Sequence, residues 1–278
     1  MVVKEIAILL TCHNRKEKTI ECLTALYSNV IPTGYSFDVF LVDDGSTDGT
    51  GEAVKEDYPN VNIILGTGDL YWNRGMHLAW KTATKNKNYD FYLWLNDDVK
   101  LLRDSIKIIL DDAIKAPDCL LCGVMASEDT GNITYGGRDK NGKILIPNKK
   151  EPIICMEVNG NFVLIPKEIY EQVGMLDPIF PHAIGDFDYG FRCVSKGFTC
   201  KITSKIVGHC EANPQLPKWC LPEVSFLKRV KVLYSPLGNS HPYYYFLYEK
   251  RHFGLLLAIK HFLTIHLRVL IPQLWKQI

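Results

Sequence analysis

Short apolar runs alternate with helical patterns along the first half of the chain, and this alternation constrains the fold more than any other feature. The runs are rich in Val, Ile, Leu and aromatic residues, and they lie at residues 5–10, 37–42, 61–65, 91–95 and 120–125. Helical patterns lie between them, at residues 16–27, 50–57, 73–85 and 104–116. Because strands that alternate with helices form right-handed βαβ units, we predict an α/β fold with a mostly parallel central sheet flanked by helices.

A cluster of polar residues follows each of the first four predicted strands. In chain order the clusters read TCHNR, DDGSTDGT, GTGDLYWNRG and NDD. The carboxyl ends of parallel strands meet at one edge of a sheet, and ligands of such sheets bind beyond that edge. The sequence therefore predicts a ligand site built from these clusters.

The fourth cluster is notable because the apolar run at residues 91–95 stops abruptly at Asn96, Asp97 and Asp98. Adjacent carboxylates at a strand end suit Mg²⁺ or Mn²⁺, which prefer oxygen ligands and often share them with substrate phosphates. A solvated turn or a helix cap explains NDD equally well when it is taken alone. In DDGSTDGT, a turn followed by a helix cap explains much of the pattern. The alternative is that Asp43 and Asp44 accept hydrogen bonds from a ribose or a base.

The second half of the chain has a different pattern. Turn pairs at residues 136–137 and 141–142 predict a hairpin, and a strand at 157–165, a helix at 186–198 and a strand at 200–210 follow. We place a first domain, which contains the predicted ligand site, at residues 1–221 and a C-terminal helical extension at 222–278. The apolar segment at 253–271 contains Lys260 and Arg268, so it suits a membrane surface better than a membrane span. Packing of this helix on the first domain is the alternative.

Composition excludes several classes of protein. The net charge of +1 argues against nucleic-acid binding driven by bulk charge. Nine cysteines include a single CxxC, Cys119 and Cys122, so we expect strand packing rather than a disulfide framework or a zinc site. The first apolar run is too short for a signal peptide, which predicts a cytoplasmic protein, peripheral on the inner face of the membrane if the extension docks there. No glycine follows the first strand, so a dinucleotide-binding fold is excluded.

The order and spacing of TCHNR, VDDGSTDGT, WNRGMHLA and LNDDV resemble family 2 of the inverting glycosyltransferases, which have the GT-A fold. In the second half, VNGNFVLIPKEIYEQVGMLDPIF resembles the acceptor-side segment of that family. GDFDYGFRCVSKGF resembles its helix with the acidic signature, and IVGHC its following strand with a histidine. The resemblance covers roughly residues 4–210, and it carries the specificity that each motif lacks alone.

The resemblance implies a role for individual residues. The residues implied to bind the nucleotide sugar are Thr11, Asn14, Arg15, Asp43, Asp44, Asp69, Asn73, Asn96 and Asp97. Among these, Asp43 matches the acid that holds the nucleobase. Asp98 matches the metal ligand that meets the diphosphate, and Asp186 matches the catalytic base. His209 matches a histidine that approaches the metal or the diphosphate in some members of the family. The implied cofactor is a divalent metal, Mg²⁺ or Mn²⁺.

Two positions depart from the family pattern. Asn96 stands where the DxD motif begins with an acid, which matches an LNxD subgroup that often transfers rhamnose or galactofuranose. Gly185 stands where an acid is common, and Asp188 is the fallback for the base.

The implied function is transfer of a sugar, with rhamnose as one candidate, from a UDP- or dTDP-linked donor. The implied acceptor is a glycan or glycolipid, namely a hydroxyl of a growing, lipid-linked cell-surface polysaccharide. The alternatives are a sugar nucleotidylyltransferase, for which TCHNR lacks the expected glycines, and a catalytically weak nucleotide-sugar-binding protein.

Overall fold

A single mixed sheet runs through the protein in the computed structural model, which describes residues 3–212 and 216–275. Its strands are β1 (Lys4–Cys12), β2 (Tyr35–Asp43), β3 (Asn62–Leu65), β4 (Phe91–Leu95), β5 (Lys100–Leu101), β6 (Cys119–Ala126), β7 (Ile133–Tyr135), β8 (Ile153–Ile154), β9 (Phe162–Pro166) and β10 (Thr199–His209). The helices are α1 (Lys16–Tyr27), α2 (Thr50–Asp57), α3 (Tyr71–Asn86), α4 (Ser105–Lys115), α5 (Lys167–Val173), α6 (Gly185–Ser195), α7 (Phe226–Leu233), α8 (Pro242–His252) and α9 (Leu255–Leu270).

The sheet has the order β3-β2-β1-β4-β9-β6-β10-β5, with β7 beside β6 and β8 beside β10. The pairs β3–β2, β2–β1, β1–β4 and β6–β10 are parallel, as the alternation predicts. The predicted α/β fold is therefore confirmed. One feature was not predicted: β9 lies antiparallel between β4 and β6, and so joins the second half of the chain to the centre of the sheet.

Both faces are covered at the centre of the sheet, which explains why β4 and β9 are apolar and buried throughout instead of alternating. On β1, Ile8 and Leu10 pack on one face with Leu23 of α1. Leu9 packs on the other face with Trp80 of α3. Helices on both sides leave only the strand ends open, and these ends carry the polar clusters.

The predicted strand at residues 157–165 begins later than expected, at Phe162. Just before it, the carbonyl of Asn161 accepts a hydrogen bond from the amide of Asn96 (2.9 Å), which continues the antiparallel pairing one residue beyond Leu95 and Phe162. The predicted hairpin is present as a turn in which the amide of Gly142 donates to the carbonyl of Asp139 (3.0 Å). Cys119 and Cys122 lie buried in β6 with free thiols, as strand packing requires.

The C-terminal extension folds as α7, α8 and α9. Helix α8 packs on α6, where Phe191 contacts the rings of Tyr248 and Phe253 (centroid distances 6.1 and 5.2 Å). A second small core joins Trp219 and Leu233 to Ile265 of α9. Within the residues that the structure describes, none of the helices has both the length and the apolar character needed to cross a bilayer.

Candidate functional site

A cavity of about 1000 Å³ lies at the carboxyl ends of the central strands. Several residues that the sequence predicted for the site line it, namely Thr11, Arg15, Asp44, Asn96, Asp97, Asp98 and Asp186. They come from β1, the loops after β2 and β4, and the start of α6, so the tertiary structure brings together segments far apart in the chain. The predicted edge site is thus a single concave surface.

Asn96 is held at the cavity wall by two side-chain hydrogen bonds. Its Oδ1 accepts from Trp72 Nε1 (2.6 Å), and its Nδ2 donates to Asn161 Oδ1 (2.7 Å). An aspartate could accept from Trp72 but could not donate to Asn161. The amide at this position, which departs from the family pattern, therefore matches its partners in this chain.

Asp97 and Asp98 share one cation, the guanidinium of Arg15. Arg15 Nη1 lies 3.0 Å from Asp97 Oδ1 and 2.9 Å from Asp98 Oδ2. Asp97 is buried, and this burial raises its pKa to about 6 although Arg15 opposes the rise. The carboxylate of Asp98 is more open, with 27% of its side chain exposed at the cavity. Of the two acids, Asp98 is the one that can reach a ligand without moving.

Asp43 and Asp44, the first two acids of the second cluster, shape the loops beside the cavity. Asp44 accepts backbone hydrogen bonds from Gly68 (2.8 Å), Leu70 (2.9 Å) and Tyr71 (3.0 Å), so it holds the start of α3. Asp43 accepts from the amide of Ser46 (2.9 Å) and does not line the cavity. These contacts fit the turn-and-cap interpretation of DDGSTDGT, although Asp44 also faces the cavity.

Four further predicted residues lie outside the cavity lining. Asn14 binds the loop after β2, because its Oδ1 accepts from the amide of Thr47 (2.7 Å). Asp69 is exposed and accepts a hydrogen bond from Thr67. Asn73 is buried, and its Nδ2 donates to the carbonyls of Asp177 (2.8 Å) and Phe180 (2.7 Å).

His209 is the fourth residue outside the lining. It ends β10, and its Nδ1 lies 3.3 Å from the carbonyl oxygen of Ala126. Across residues 3–212 and 216–275, no three His, Cys, Asp or Glu side chains come together as a metal-binding group. Neither Asp98 nor His209 is therefore part of a metal-binding group made of protein side chains alone in the described residues.

Asp186 lies at the start of α6 and is only 9% exposed. Its Oδ2 accepts from the amide of Gly160 (2.9 Å), and its Oδ1 accepts from the amide of Phe187 (2.9 Å). Burial raises the pKa of Asp186 to about 6, and these hydrogen bonds limit the rise. A Cβ at Gly160 would lie 2.6 Å from the ring of Trp72, so only glycine lets this backbone approach the carboxylate. A carboxylate with this pKa is ionised at neutral pH and can still accept a proton.

A steric contact explains why residue 185 is a glycine. A Cβ at this position would lie 1.8 Å from Asn73 Oδ1, so no side chain fits where the family often carries an acid. The fallback base, Asp188, is fully buried and binds Arg192 (2.9 Å) and Arg251 (2.7 Å). Burial alone would raise its pKa, but contacts with His252, Arg192 and Arg251 hold the pKa of Asp188 below its usual range. Asp188 does not line the cavity, so the geometry favours Asp186 as the base.

Several cavity residues were missed by the sequence analysis. The C-terminal extension supplies Leu237, Asn239, Ser240, Tyr245 and Tyr248 to the lining. The sequence did not indicate that the C-terminal extension forms part of the cavity wall, because the extension has the pattern of apolar helices outside the predicted site. His182 was also missed; burial lowers its pKa, and its Nδ1 accepts from the amide of Trp72 (3.4 Å).

The described structure is similar to solved glycosyltransferases at low sequence identity. S. aureus TarS 1–349, solved with UDP-GlcNAc, has 13% identity and a TM-score of 0.57, over 95% of this chain and 72% of that chain. Mannosyltransferase PcManGT from Pyrobaculum calidifontis, solved with GDP-Man and Mn²⁺, has 18% identity and a TM-score of 0.55, over 94% and 74%. GalNAc-T7, solved with UDP, GalNAc and Mn²⁺, has 14% identity and a TM-score of 0.58, over 84% and 48%. These similarities show a shared fold.

Comparison with curated proteins gives no match. The family model described as glycosyl transferase family 2 matches residues 7–174, which is more than half of the chain. This stretch contains the four polar clusters and the strands that carry them. The chain therefore belongs to glycosyl transferase family 2, and it is a glycosyltransferase with the GT-A fold.

Proposed function

We propose that this glycosyltransferase transfers a sugar from a UDP- or dTDP-linked donor to a hydroxyl of a glycan or glycolipid, with inversion at the anomeric carbon. The observation that carries the proposal is Asp186, a buried carboxylate on the wall of the cavity whose pKa burial raises to about 6. The proposal draws further support from the structurally similar glycosyltransferases solved with UDP-GlcNAc and with GDP-Man. Rhamnose is our candidate for the sugar, on the basis of the LNxD pattern.

In the proposed reaction, Asp186 accepts the proton of the acceptor hydroxyl as that oxygen attacks the anomeric carbon. The bond from this carbon to the diphosphate oxygen breaks, and its electron pair leaves with the diphosphate. Attack opposite the leaving group inverts the configuration. General-base assistance of this kind is typically worth about 10²–10⁴-fold in rate. The backbone amides of Gly160 and Phe187 orient the carboxylate throughout.

The donor diphosphate would lie near Arg15 and Asp98. Asp98 fits a divalent cation, because one protein carboxylate with phosphate and water ligands is a common donor set for Mg²⁺ and Mn²⁺. Asp97 Oδ2 is buried and, among the described residues, lacks a hydrogen-bond partner, so this corner can accommodate additional positive charge. Asn96 adds no negative charge to this corner, and its side chain is held by Trp72 and Asn161. When bound, such a cation would neutralise negative charge on the departing diphosphate.

The acceptor would enter on the side formed by the C-terminal extension. Tyr245 and Tyr248 of α8 and the loop before it face the cavity that Asp186 also lines. Aromatic rings with polar tips suit the faces and hydroxyls of sugar rings. We therefore assign the donor to the edge formed by β1 and β4, and the acceptor to the wall formed by α8.

A lipid-linked acceptor is part of the proposal, because α9 has an apolar stripe formed by Leu256, Ile259, Leu263, Leu267 and Leu270. Leu256 is 85% exposed and Leu263 is 61% exposed. Lys260 is exposed beside this stripe, a combination that suits the surface of an anionic membrane. We propose a cytoplasmic enzyme that is peripheral on the inner face of the membrane.

The experiment is a screen of UDP-, dTDP- and GDP-sugars with Mn²⁺ present, read as release of the nucleotide diphosphate. One donor should be turned over, and Asp186→Asn should bind the same nucleotide with unchanged affinity while losing turnover. Turnover of Asp186→Asn at the wild-type rate would refute the assignment of the base. NMR of the product gives the anomeric configuration, and retention would refute an inverting reaction.

A further inference from the structure

Side chains of the C-terminal extension bind to α6, the helix that carries Asp186. Asp188 lies one half-turn beyond Asp186 and is completely buried. It receives Arg251 Nη1 (2.7 Å) and His252 Nε2 (2.9 Å) from α8, in addition to Arg192 Nε from its own helix (2.9 Å). A buried carboxylate needs such partners, because an unpaired charge in this position is strongly unfavourable.

The same arginine also holds the loop that leads into α6. Arg251 Nη2 lies 2.7 Å from Asp177 Oδ2, and the guanidinium lies over the ring of Phe180 (5.6 Å). Asn73 of α3 also binds this loop, because its Nδ2 donates to the carbonyls of Asp177 and Phe180. This loop is therefore clamped between α3 and α8.

The backbone between the clamped loop and Asp186 has little freedom. Ile184 has a φ of 77°, in the left-handed region that a branched side chain rarely adopts. Gly185 is the next residue, and Asn73 lies too close to it for a Cβ to fit. Such a conformation persists only when surrounding contacts enforce it. Arg251 supplies contacts on both sides of this turn, to Asp177 before it and to Asp188 after it.

We propose that Arg251 is a positioning residue for Asp186, so that α8 belongs to the catalytic machinery although it lies outside the family match. Arg251 does not line the cavity and would not touch the substrate. It acts by fixing the conformation of the loop at residues 177–186 and of the first helical turn of α6. The inference rests on the proposed role of Asp186 as the base.

The test is Arg251→Ala, compared with wild type and with Lys250→Ala, an exposed neighbour on the same helix. Since a displacement of about 1 Å can cost about 10²-fold in rate, we expect kcat to fall about 10- to 100-fold. The KM for the donor should stay within about twofold, because the donor edge is formed by other elements. Lys250→Ala should retain the wild-type kcat.

Chemical rescue separates positioning from general stability. The side chain of Arg251 is 35% exposed, so free guanidinium can reach the space left by Arg251→Ala. Guanidinium at low, non-denaturing concentration should restore part of kcat in a saturable way, while equal ionic strength from NaCl should not. Arg251→Lys should retain more activity than Arg251→Ala, because one ammonium can still pair with Asp188.

Amide hydrogen exchange gives a readout independent of turnover. In Arg251→Ala, amides at residues 177–188 should exchange faster than in wild type, and guanidinium should slow them again. Loss of kcat without faster exchange in this segment would overturn the proposal, as would faster exchange with an unchanged kcat. If Asp186→Asn instead proved fully active, the proposed base would be wrong, and the exchange result would still report on the clamp.

Discussion

Replacing Asp186 by asparagine should remove activity and, at the same time, change how stability depends on pH. In the folded protein, burial raises the pKa of Asp186 from 3.8 to about 6. Between these values the folded state holds the proton more tightly than the unfolded chain does. The contribution of Asp186 to the free energy of unfolding is therefore full below about pH 4, and it is lost as pH rises through 6.

The size of this effect follows from the two pKa values. At about 1.4 kcal/mol per pKa unit, ionising the buried carboxylate costs about 3 kcal/mol, of which about 2 kcal/mol develops between pH 4.5 and 7.5. Asparagine has the same shape and cannot ionise. It can accept from only one of the amides of Gly160 and Phe187 with its single oxygen, which costs about 1–3 kcal/mol at every pH.

The assay is chemical denaturation of wild type and Asp186→Asn at several pH values, with the exposed Asp57→Asn as a control for the measurement. The stability of Asp186→Asn relative to wild type should increase by about 2 kcal/mol from pH 4.5 to 7.5. In parallel, wild-type kcat/KM should fall as pH decreases below about 6, because the base becomes protonated. A difference in stability that stays constant across this pH range would refute the buried, perturbed carboxylate.

Further outcomes test other parts of the structure. Gly185→Ala should destabilise the protein by about 1–3 kcal/mol in denaturation, because its Cβ would overlap Asn73, and it should lower kcat by displacing Asp186; wild-type stability would contradict the close contact. Asp98→Asn should weaken UDP binding measured by calorimetry with Mn²⁺ but not in EDTA; equal losses in both would argue against a metal role. Leu263→Glu should reduce sedimentation with phosphatidylglycerol vesicles, and unchanged sedimentation would refute the membrane stripe.

The alternation of strands and helices was readable from the sequence because it depends on local pattern. Each of the strands β1 to β4 is a short apolar run, and a helix precedes the next strand of the parallel part of the sheet. The position of β9 was not readable, since an antiparallel strand between β4 and β6 depends on pairing over about 70 residues of sequence separation for β4. The pattern at residues 157–165 predicted a strand but could not show that the strand would begin only at Phe162.

The sequence predicted the candidate site in part, as it did the fold. Asp98, Asp97 and Arg15 face the cavity because they follow strands that end at one edge, and strand ends are visible in the sequence. Asn73 and Asn14 have the same polar character, yet the structure turns them towards loops, where they bind backbone groups. Residue type alone does not distinguish a polar side chain that binds a ligand from one that stabilises a loop.

The sequence by itself determined that the chain would form an α/β sheet with acids along one edge, and it predicted one helix that carries both Asp186 and Asp188. Only the tertiary structure decided which acid faces the cavity. Residues two apart on a helix differ by about 200°, so one of them must face away from the other. Arg251 and His252, more than 60 residues away, enclose Asp188 and leave Asp186 at the cavity wall. The physical reason is that a buried carboxylate needs cationic or hydrogen-bonding partners, and the folded chain supplies cations to one of these acids and backbone amides to the other.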